Sequence, residues 1–231
     1  MWKLMENIID PGDIEALVQF LQTTDRFTNG PKVSQFETEW SQWLGIKNSV
    51  MVNSGASANF ASIAIVKELF GLGEVIVPSL GWSSDVSSIV QLGMTPVFVD
   101  IDPNTLGINP VSLKHAISKE TKAVVIVHAL GFNAITKEIK NILEGKELFV
   151  IEDCCESHGA LLDTPDKRKI GTYGHLSLFS FYFGHHITTV EGGMLCMNEE
   201  KLYQLAKMFR SHGMTREAST EIRLKFEKEY P

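Results

Sequence analysis

The fold is indicated most clearly by residues 148–160, LFVIEDCCESHGA, where an unbroken apolar run ends on two acidic residues. Short apolar runs of the same kind recur along the chain, and segments with helical periodicity separate them. Strands that are continuously apolar are typical of a parallel or mixed sheet with both faces covered. We therefore predict an α/β fold in which a mixed, mostly parallel sheet carries helices on both faces. The predicted strands are residues 50–52, 75–77, 96–99, 123–127, 148–151, 176–181 and 194–197.

The predicted helices belong to one large domain, which a polar tail follows. They cover residues 10–22, 33–44, 56–70, 83–92, 110–117, 135–143 and 199–211. After Gly213 the chain becomes polar and charged, with little apolar character on any helical face. We expect residues 1–213 to form the large domain, which includes the N-terminal helices within residues 1–45. Residues 214–231 are expected to be a linker, or the start of a C-terminal domain that this chain does not contain.

The composition argues against several classes of protein. A formal net charge of −7 without a basic stripe argues against nucleic-acid binding. No apolar run reaches the roughly 18 residues of a membrane span, and the N-terminal region lacks the pattern of a secretory signal. We therefore expect a cytoplasmic protein without membrane contact. Cys154, Cys155 and Cys196 are too few for a disulfide framework or a metal cluster, so we expect buried thiols and no metal site.

Polar residues follow several of the predicted strands, at the sheet edge where ligands bind in α/β folds. Ser54 and Gly55 lie between a strand and a helix, where amide groups at the positive end of the helix suit a phosphate. A Ser-Gly turn is also a common helix cap, so this feature alone leaves both interpretations open. Asp153 is a stronger indication, because a carboxylate directly after an apolar strand is costly unless it is paired. A protonated heteroaromatic nitrogen is one such partner, and a loop or helix cap is the alternative.

A second informative segment, residues 180–193, reads SFYFGHHITTVEGG. Together with residues 150–160 it resembles the lysine region of the pyridoxal-phosphate sugar aminotransferases, the DegT/DnrJ/EryC1/StrS family. The resemblance extends from Gly30 to Gly213 and implies a fold-type-I large domain that binds pyridoxal 5′-phosphate (PLP) or pyridoxamine 5′-phosphate (PMP). In most members a lysine precedes the Ile-Thr-Thr run by two positions, and His185 stands there in this chain. The exchange removes the amine that binds the cofactor covalently and leaves an acid/base group.

The resemblance also implies roles for individual site residues. Trp82 falls where the family has an aromatic ring that stacks on the pyridine, although its position also suits a packing residue at a helix start. Asp153 is implied to pair with the ring nitrogen, and Glu156 stands where many members have a glutamine near the ring oxygen. A glutamate there can also hold a proton, so we include it among the catalytic candidates with His185 and Asp153. The residues implied to bind the cofactor phosphate are Gly55, Ala56, Ser57 and Ser180.

The sequence predicts non-catalytic roles for two other histidines, His186 and His158. His186 falls on the family's asparagine position, so an orienting or packing role is implied. His158 is expected to be structural. These two residues provide the comparison against which a catalytic role of His185 can be tested.

The lysine-to-histidine exchange marks one branch of the family, the sugar 3-dehydratases. They act on nucleotide-linked 4-keto-6-deoxyhexoses in deoxysugar and lipopolysaccharide biosynthesis. The resemblance therefore implies PMP-dependent loss of the C3 hydroxyl with His185 as the base, glutamate as the amino donor and a homodimer. Two alternatives stay open: an aminotransferase whose lysine lies elsewhere, and a catalytically silent relative that only binds a ligand.

Overall fold

The structure, a computed structural model that describes residues 6–215 and 218–229, contains a seven-stranded sheet. Its strands are β1 (Asn48–Val52), β2 (Glu74–Pro78), β3 (Thr95–Val99), β4 (Thr121–Val127), β5 (Phe149–Asp153), β6 (Leu176–Ser180) and β7 (Gly193–Met197). They lie in the order β1-β7-β6-β5-β4-β2-β3. Strand β7 pairs antiparallel with β1 and β6, and the other pairs are parallel. The predicted mixed, mostly parallel sheet is confirmed.

The described helices agree closely with the predicted ones up to residue 211. They are α1 (Pro11–Thr23), α2 (Pro31–Leu44), α3 (Gly55–Phe70), α4 (Ser83–Gln91), α5 (Pro110–Ala116), α6 (Lys137–Leu143), α7 (Glu200–Arg210) and α8 (Thr220–Glu229). None of these helices is long and apolar enough to cross a membrane. The expected cytoplasmic location stays a prediction.

Helix α8 lies within the segment that was expected to be a linker. The hydroxyl oxygen of Ser219 accepts a hydrogen bond from the Ile222 amide at 3.3 Å, and Arg223 pairs with Glu227 at 3.6 Å. Capping and an i,i+4 ion pair favour a helix without requiring a buried apolar face. A helix is compatible with a linker and with the start of a C-terminal domain, so both expectations for residues 214–231 stay predictions. Residues 216–217 and 230–231 of this segment, and residues 1–5 of the predicted large domain, lie outside the described residues. A division into domains at residue 213 stays a prediction.

Helices cover both faces of the sheet, as predicted. On one face the apolar core includes Ile65 of α3, Ile89 of α4 and Leu202 of α7. On the other face Leu113 of α5 and Ile139 of α6 pack on the sheet together with α2. The two cores bury the strands on both sides, which explains their continuous apolar character.

Strand β5 presents its two acidic residues to opposite faces. Ile151 belongs to the core beneath α3 and α4, whereas Val150 belongs to the core on the other side. Since side chains alternate along a strand, Asp153 lies on the side of Ile151 and Glu152 on the side of Val150. The strand therefore delivers one carboxyl group to each face at its C-terminal end.

Candidate active site

The turn between β1 and α3 presents backbone amide groups at the sheet edge. Ser54 precedes α3, and its Oγ accepts a hydrogen bond from the Ser57 amide at 3.1 Å. The amides of Gly55 and Ala56 precede the first hydrogen bond inside the helix, so they point out of its N-terminus. This arrangement can bind a phosphate group, as the sequence predicts.

Ser180, the last residue of β6, lies against this turn. A Cβ atom on Gly55 would lie 2.7 Å from the Ser180 Cβ and 3.2 Å from the Cys155 Sγ, so the close approach requires glycine. The Ser180 Oγ accepts a hydrogen bond from the Tyr182 amide at 3.3 Å, and the hydroxyl can still donate one. The Ser180 hydroxyl therefore lies beside the amides of the turn.

A second close approach fixes the same turn from β7. The carbonyl oxygen of Ser54 and the amide nitrogen of Gly55 occupy the space that a side chain on Gly193 would need. Any larger residue at position 193 would push the turn away from β7. The Gly-Gly pair at the end of the second motif is therefore needed to hold the N-terminus of α3 at the sheet edge.

Asp153 ends β5 as a buried carboxyl group, with 5% of its surface exposed. Its Oδ1 accepts a hydrogen bond from the Cys155 amide at 2.9 Å, and its Oδ2 accepts one from the Asn59 side-chain amide at 3.4 Å. Both donors are neutral groups, so a positively charged ring nitrogen would be a favourable further partner. The buried position agrees with the predicted role.

Trp82 lies between β2 and α4 with 71% of its surface exposed. The ring therefore lies outside the core, and the indole is accessible to a planar ligand. Trp82 also stands at the start of α4, so its stacking role stays a prediction. Its amide donates a hydrogen bond to Asp85 Oδ2 at 3.1 Å, so the backbone at Trp82 is fixed by the first turn of α4.

Two polar residues near Asp153, namely Asn59 and Asp85, were given no role from the sequence. Both are buried, at 1% and 0% exposure. The sequence feature that could have identified Asn59 is its position as a polar residue inside an apolar helix. Asp85 was harder to identify from the sequence, because an acidic residue in the first turn of a helix is common and is explained by the helix dipole alone.

His185 lies in a turn that is closed by hydrogen bonds at its base. The Phe181 carbonyl accepts hydrogen bonds from the Thr189 amide at 3.0 Å and from the Thr188 hydroxyl at 2.9 Å. Within the turn, the His185 amide donates to the Tyr182 carbonyl at 3.0 Å. The Thr-Thr pair of the motif therefore fixes the segment that carries the histidine.

The electrostatic surroundings of His185 connect it with the other candidates. Burial lowers the pKa of its half-buried ring, the charges of Glu156 and Asp153 act in the opposite direction, and His186 lowers it further. The net shift is downward, so the ring is neutral at pH 7 and can accept a proton. His185 therefore interacts electrostatically with both Asp153 and Glu156. His186 is more exposed than His185, although its ring also lies 5.8 Å from that of His158.

Glu156 is held by the segment after β4. Its Oε2 accepts a hydrogen bond from the Leu130 amide at 2.9 Å. Leu130 has a positive φ of 53°, a conformation that a leucine rarely adopts. The carboxylate therefore stays near His185 through a backbone contact, and its charge favours the protonated form of that ring.

His158 is a packing residue in the structure, as expected. Its ring lies 5.8 Å from that of Trp40 and 5.7 Å from those of Phe179 and Phe181, measured between centroids. Burial lowers the pKa of His158 to about 4, and the two histidines of the neighbouring turn add to the effect. The ring is therefore neutral at pH 7 and lies beside the turn of His185 at a centroid distance of 6.0 Å.

Glu152 is buried on the opposite face from Asp153. Its carboxylate accepts hydrogen bonds from the amides of Tyr173 at 2.8 Å, Gly174 at 2.7 Å and Gly171 at 3.2 Å. The His128 Nε2 lies 3.0 Å from it. Burial alone would raise the pKa of Glu152, but the bonds from His128 and these amides outweigh burial and lower it. This carboxylate therefore joins β5 to the segment before β6.

The same network explains a group of potential metal ligands. Atoms of His128, Glu152 and Cys154 lie within 4.8 Å of one another. The His128 Nδ1 accepts a hydrogen bond from the Ala134 amide at 3.2 Å, so its Nε2 carries the proton that Glu152 accepts. Burial raises the pKa of the Cys154 thiol well above its usual value, so the thiol stays protonated. The group is a hydrogen-bonded structural network.

Known proteins resemble this chain over nearly all of its length. The model of the DegT/DnrJ/EryC1/StrS aminotransferase family matches residues 7–226. The GDP-4-keto-6-deoxy-D-mannose 3-dehydratase of Yersinia pseudotuberculosis is 43% identical over 216 residues, which are 90% of this chain and 53% of that protein.

Two solved structures of GDP-4-keto-6-deoxymannose-3-dehydratase share the fold. One is a histidine-to-asparagine variant with bound GDP-perosamine, with a TM-score of 0.86 and 35% identity. The other holds a trapped PLP-glutamate geminal diamine, with a TM-score of 0.85 and 35% identity. Each comparison covers 95% of this chain and 57% of the solved chain. This chain spans about half the length of the curated relatives that it matches. The family match and the shared fold together show that the chain belongs to the DegT/DnrJ/EryC1/StrS aminotransferase family.

Proposed function

We propose that this chain carries the cofactor site of a PMP-dependent 3-dehydratase acting on a GDP-linked 4-keto-6-deoxyhexose. The observation that supports this function is His185, which stands in the turn after β6 where most family members have a lysine. Residues 181–192 contain no lysine, and the His185 ring faces the charges of Glu156 and Asp153. An acid/base group therefore replaces a covalent anchor at the centre of the site.

The residues of the site fit the proposed cofactor. The amides of Gly55 and Ala56 and the Ser180 hydroxyl would hold the phosphate, the buried Asp153 carboxylate would pair with the ring nitrogen, and the exposed Trp82 indole would stack on the ring. When bound, PMP would supply an amine that attaches to the C4 ketone of the sugar and a ring that accepts electron density.

The protein's own contribution to the reaction is proton transfer in a fixed geometry. His185 would be the base that removes a proton from the cofactor carbon C4′, because its lowered pKa keeps the imidazole ring neutral and able to accept that proton. Glu156 would stabilise the resulting imidazolium through its negative charge. Hydrogen bonds at the base of the turn hold the ring in place, so little reorganisation is needed when the proton moves.

The substrate and the amino donor are proposed from similarity. A relative is named as a dehydratase of GDP-4-keto-6-deoxy-D-mannose, and one related structure holds GDP-perosamine. Another related structure holds a PLP-glutamate adduct, which supports glutamate as the donor that regenerates PMP. The dehydration would yield a 3-deoxy-4-keto sugar and ammonia.

The absence of a covalent anchor separates the dehydratase from the aminotransferase alternative. We expect borohydride treatment of the PLP-loaded full chain to leave no pyridoxyl-lysine, because the family's lysine position holds an imidazole. Digestion and mass spectrometry measure the adduct. The variant His185→Lys is the positive control and should carry the adduct at that position. A stoichiometric adduct on any lysine of the parent chain would instead favour the aminotransferase.

Exposed aromatic residues near the site support association with a second copy of the chain. A cleft of about 860 Å³ beside the phosphate turn is lined in part by Phe27, Phe60 and Phe209, which are 63%, 40% and 37% exposed. Exposed apolar groups of this kind mark protein interfaces. We propose that they contribute to the homodimer interface implied by the family resemblance.

The homodimer predicts concentration-dependent self-association of the full chain. Phe60→Ser should weaken the dimer by about 30- to 1,000-fold, since it removes a large apolar side chain worth about 1–2 kcal/mol from each of the two protomers. Sedimentation equilibrium measures the dissociation constant. Val111→Ser is the control, because Val111 is 63% exposed on α5 on the other side of the sheet. A parent chain that stays monomeric at all concentrations would contradict the proposal.

A further inference from the structure

A second buried acid, Asp85, lies behind the candidate ring-nitrogen acid Asp153. It occupies the first turn of α4, and its side chain is fully buried. Its Oδ2 accepts the hydrogen bond from the Trp82 amide at 3.1 Å. The function proposed above gives this acid no role, although a buried carboxyl group is costly and calls for an explanation.

The other oxygen of Asp85 lacks a hydrogen-bond donor. Among the residues that the structure describes, no N–H or O–H group donates to this buried Oδ1. The Asn59 side-chain amide reaches the hydroxyl of Ser84, the neighbour of Asp85, at 3.2 Å and the Asp153 carboxylate at 3.4 Å, so the first turn of α4 lies beside the end of β5. The two carboxyl groups interact directly there. Two adjacent buried carboxyl groups are satisfied together when they share one proton.

The surroundings indicate which of the two acids holds the proton. Asp153 accepts a hydrogen bond from the Cys155 amide and Asp85 accepts one from the Trp82 amide, and the Asn59 side-chain amide interacts with both acids. Asp85 is the more deeply buried of the two, at 0% against 5% exposure. The titratable groups that face Asp85 are Asp153 at the end of β5 and the Cys155 thiol after it, and α3 contributes the neutral Asn59 amide. None of these groups is positive. Burial and then the charge of Asp153 raise the pKa of Asp85 well above its usual value.

We propose, building on the cofactor site proposed above, that Asp85 is a positioning residue for Asp153. It remains a neutral carboxylic acid and donates its proton in a hydrogen bond to the Asp153 carboxylate. The pair then carries one negative charge, which matches one protonated ring nitrogen. The Asp85 carboxyl group also accepts a hydrogen bond from the Trp82 amide. It therefore links the backbone of Trp82, which would stack on the cofactor ring, to Asp153, which would pair with the ring nitrogen.

The location of the proton can be measured without any cofactor. In the cofactor-free full chain at pH 7, a difference infrared spectrum between the parent and Asp85→Asn should show the carbonyl band of one protonated carboxylic acid. Asp13→Asn is the matched control. Like Asp85, Asp13 accepts a hydrogen bond from the amide of the residue that precedes its helix, here Asp10, at 3.0 Å. Asp13 is exposed, however, so its replacement should give no such band.

The effect on the cofactor site requires two variants with opposite expectations. Asp85→Asn keeps a donor for Asp153 and an acceptor for the Trp82 amide, so PMP affinity should stay within about threefold of the parent. Asp85→Leu removes the donor, so the Asp153 carboxylate loses a hydrogen bond that stabilises its charged form. PMP affinity should then fall about tenfold at pH 7 and decline further with acid, at a midpoint about one pH unit above that of the parent.

The outcomes distinguish a positioning role from simple helix capping. Capping alone would lower the stability of Asp85→Leu without moving the pH midpoint of PMP binding. Absence of the infrared band, or a midpoint in Asp85→Asn shifted as far as in Asp85→Leu, would overturn the proposal. If Asp85→Leu does not fold, the infrared band and the PMP affinity of Asp85→Asn still test the proposal. If no form of the chain binds PMP, the function proposed above fails, whereas the infrared result still locates the proton.

Discussion

Replacing His185 with asparagine is expected to slow exchange of the C4′ hydrogen of bound PMP with solvent deuterium, measured in the presence of the keto sugar, by about 10²–10⁴-fold. Asparagine keeps polarity and approximate size but cannot accept a proton at neutral pH. The PMP affinity should stay within about threefold of the parent, because the phosphate turn, Ser180 and Asp153 remain intact. Proton NMR of the cofactor in deuterated buffer measures the exchange, and fluorescence titration measures the affinity. Loss of C3 dehydration should accompany loss of exchange.

The neighbouring histidine provides the matched control. His186 is exposed on the same turn, so His186→Asn changes the same chemistry one residue away and should alter exchange by less than about threefold. An inactive His186→Asn beside an active His185→Asn would move the base to the neighbour. A cofactor that exchanges at the parent rate in both variants would remove the turn from the proton transfer altogether.

The pH dependence follows from the direction of the His185 shift. Burial lowers its pKa below the usual 6.5, and the base acts in its neutral form. The exchange rate should therefore be constant through neutral pH and fall about tenfold per pH unit only below the lowered pKa. Replacing Glu156 with glutamine removes a charge that raises this pKa, so the acid limb should move to still lower pH.

The strands and most helices were predictable because hydrophobic periodicity is strong in a sheet buried on both faces. The continuous apolar run that ends at Asp153 is an example, and its alternation also placed Glu152 on the opposite side. Helix α8 was missed because the prediction relied on an apolar face. The Ser219 cap and the pairing of Arg223 with Glu227 are local interactions that do not depend on burial.

The site was predictable where a motif marks it and not where contacts form between distant segments. The approach of Gly193 to the Ser54 carbonyl, and the meeting of Asp85 with Asp153, join residues far apart in sequence. Their residue types alone carry no sign of these contacts. A first-turn aspartate looks the same in sequence whether it is exposed, as Asp13 is, or fully buried, as Asp85 is, and only the tertiary burial of the first turn of α4 distinguishes them.

Replacing Asp153 with asparagine is expected to weaken PMP binding by about 10²–10⁴-fold. The substitution removes one member of a buried charge pair with the ring nitrogen, a loss of about 3–5 kcal/mol. The asparagine oxygen can still accept a hydrogen bond from the Cys155 amide. Its NH₂ group would then face the NH₂ group of Asn59, and the hydrogen bond from Asn59 would be lost. Hydrogen exchange at C4′ should slow as well, because a neutral ring nitrogen accepts electron density poorly. Titration with PMP measures the affinity.

The adjacent acid of the same strand tests whether the effect is specific. Glu152 is as buried as Asp153 but lies on the other face, where three amides and His128 hold its carboxylate. Glu152→Gln should lower the free energy of unfolding by about 1–3 kcal/mol and leave the PMP affinity of the folded chain unchanged. Asp153→Asn should instead act mainly on PMP affinity, since neutralising a buried charge that lacks a cationic partner in the cofactor-free chain offsets part of the cost of the lost Asn59 hydrogen bond. If Asp153→Asn is unstable and binds PMP like the parent, Asp153 is a structural acid and the ring nitrogen has another partner.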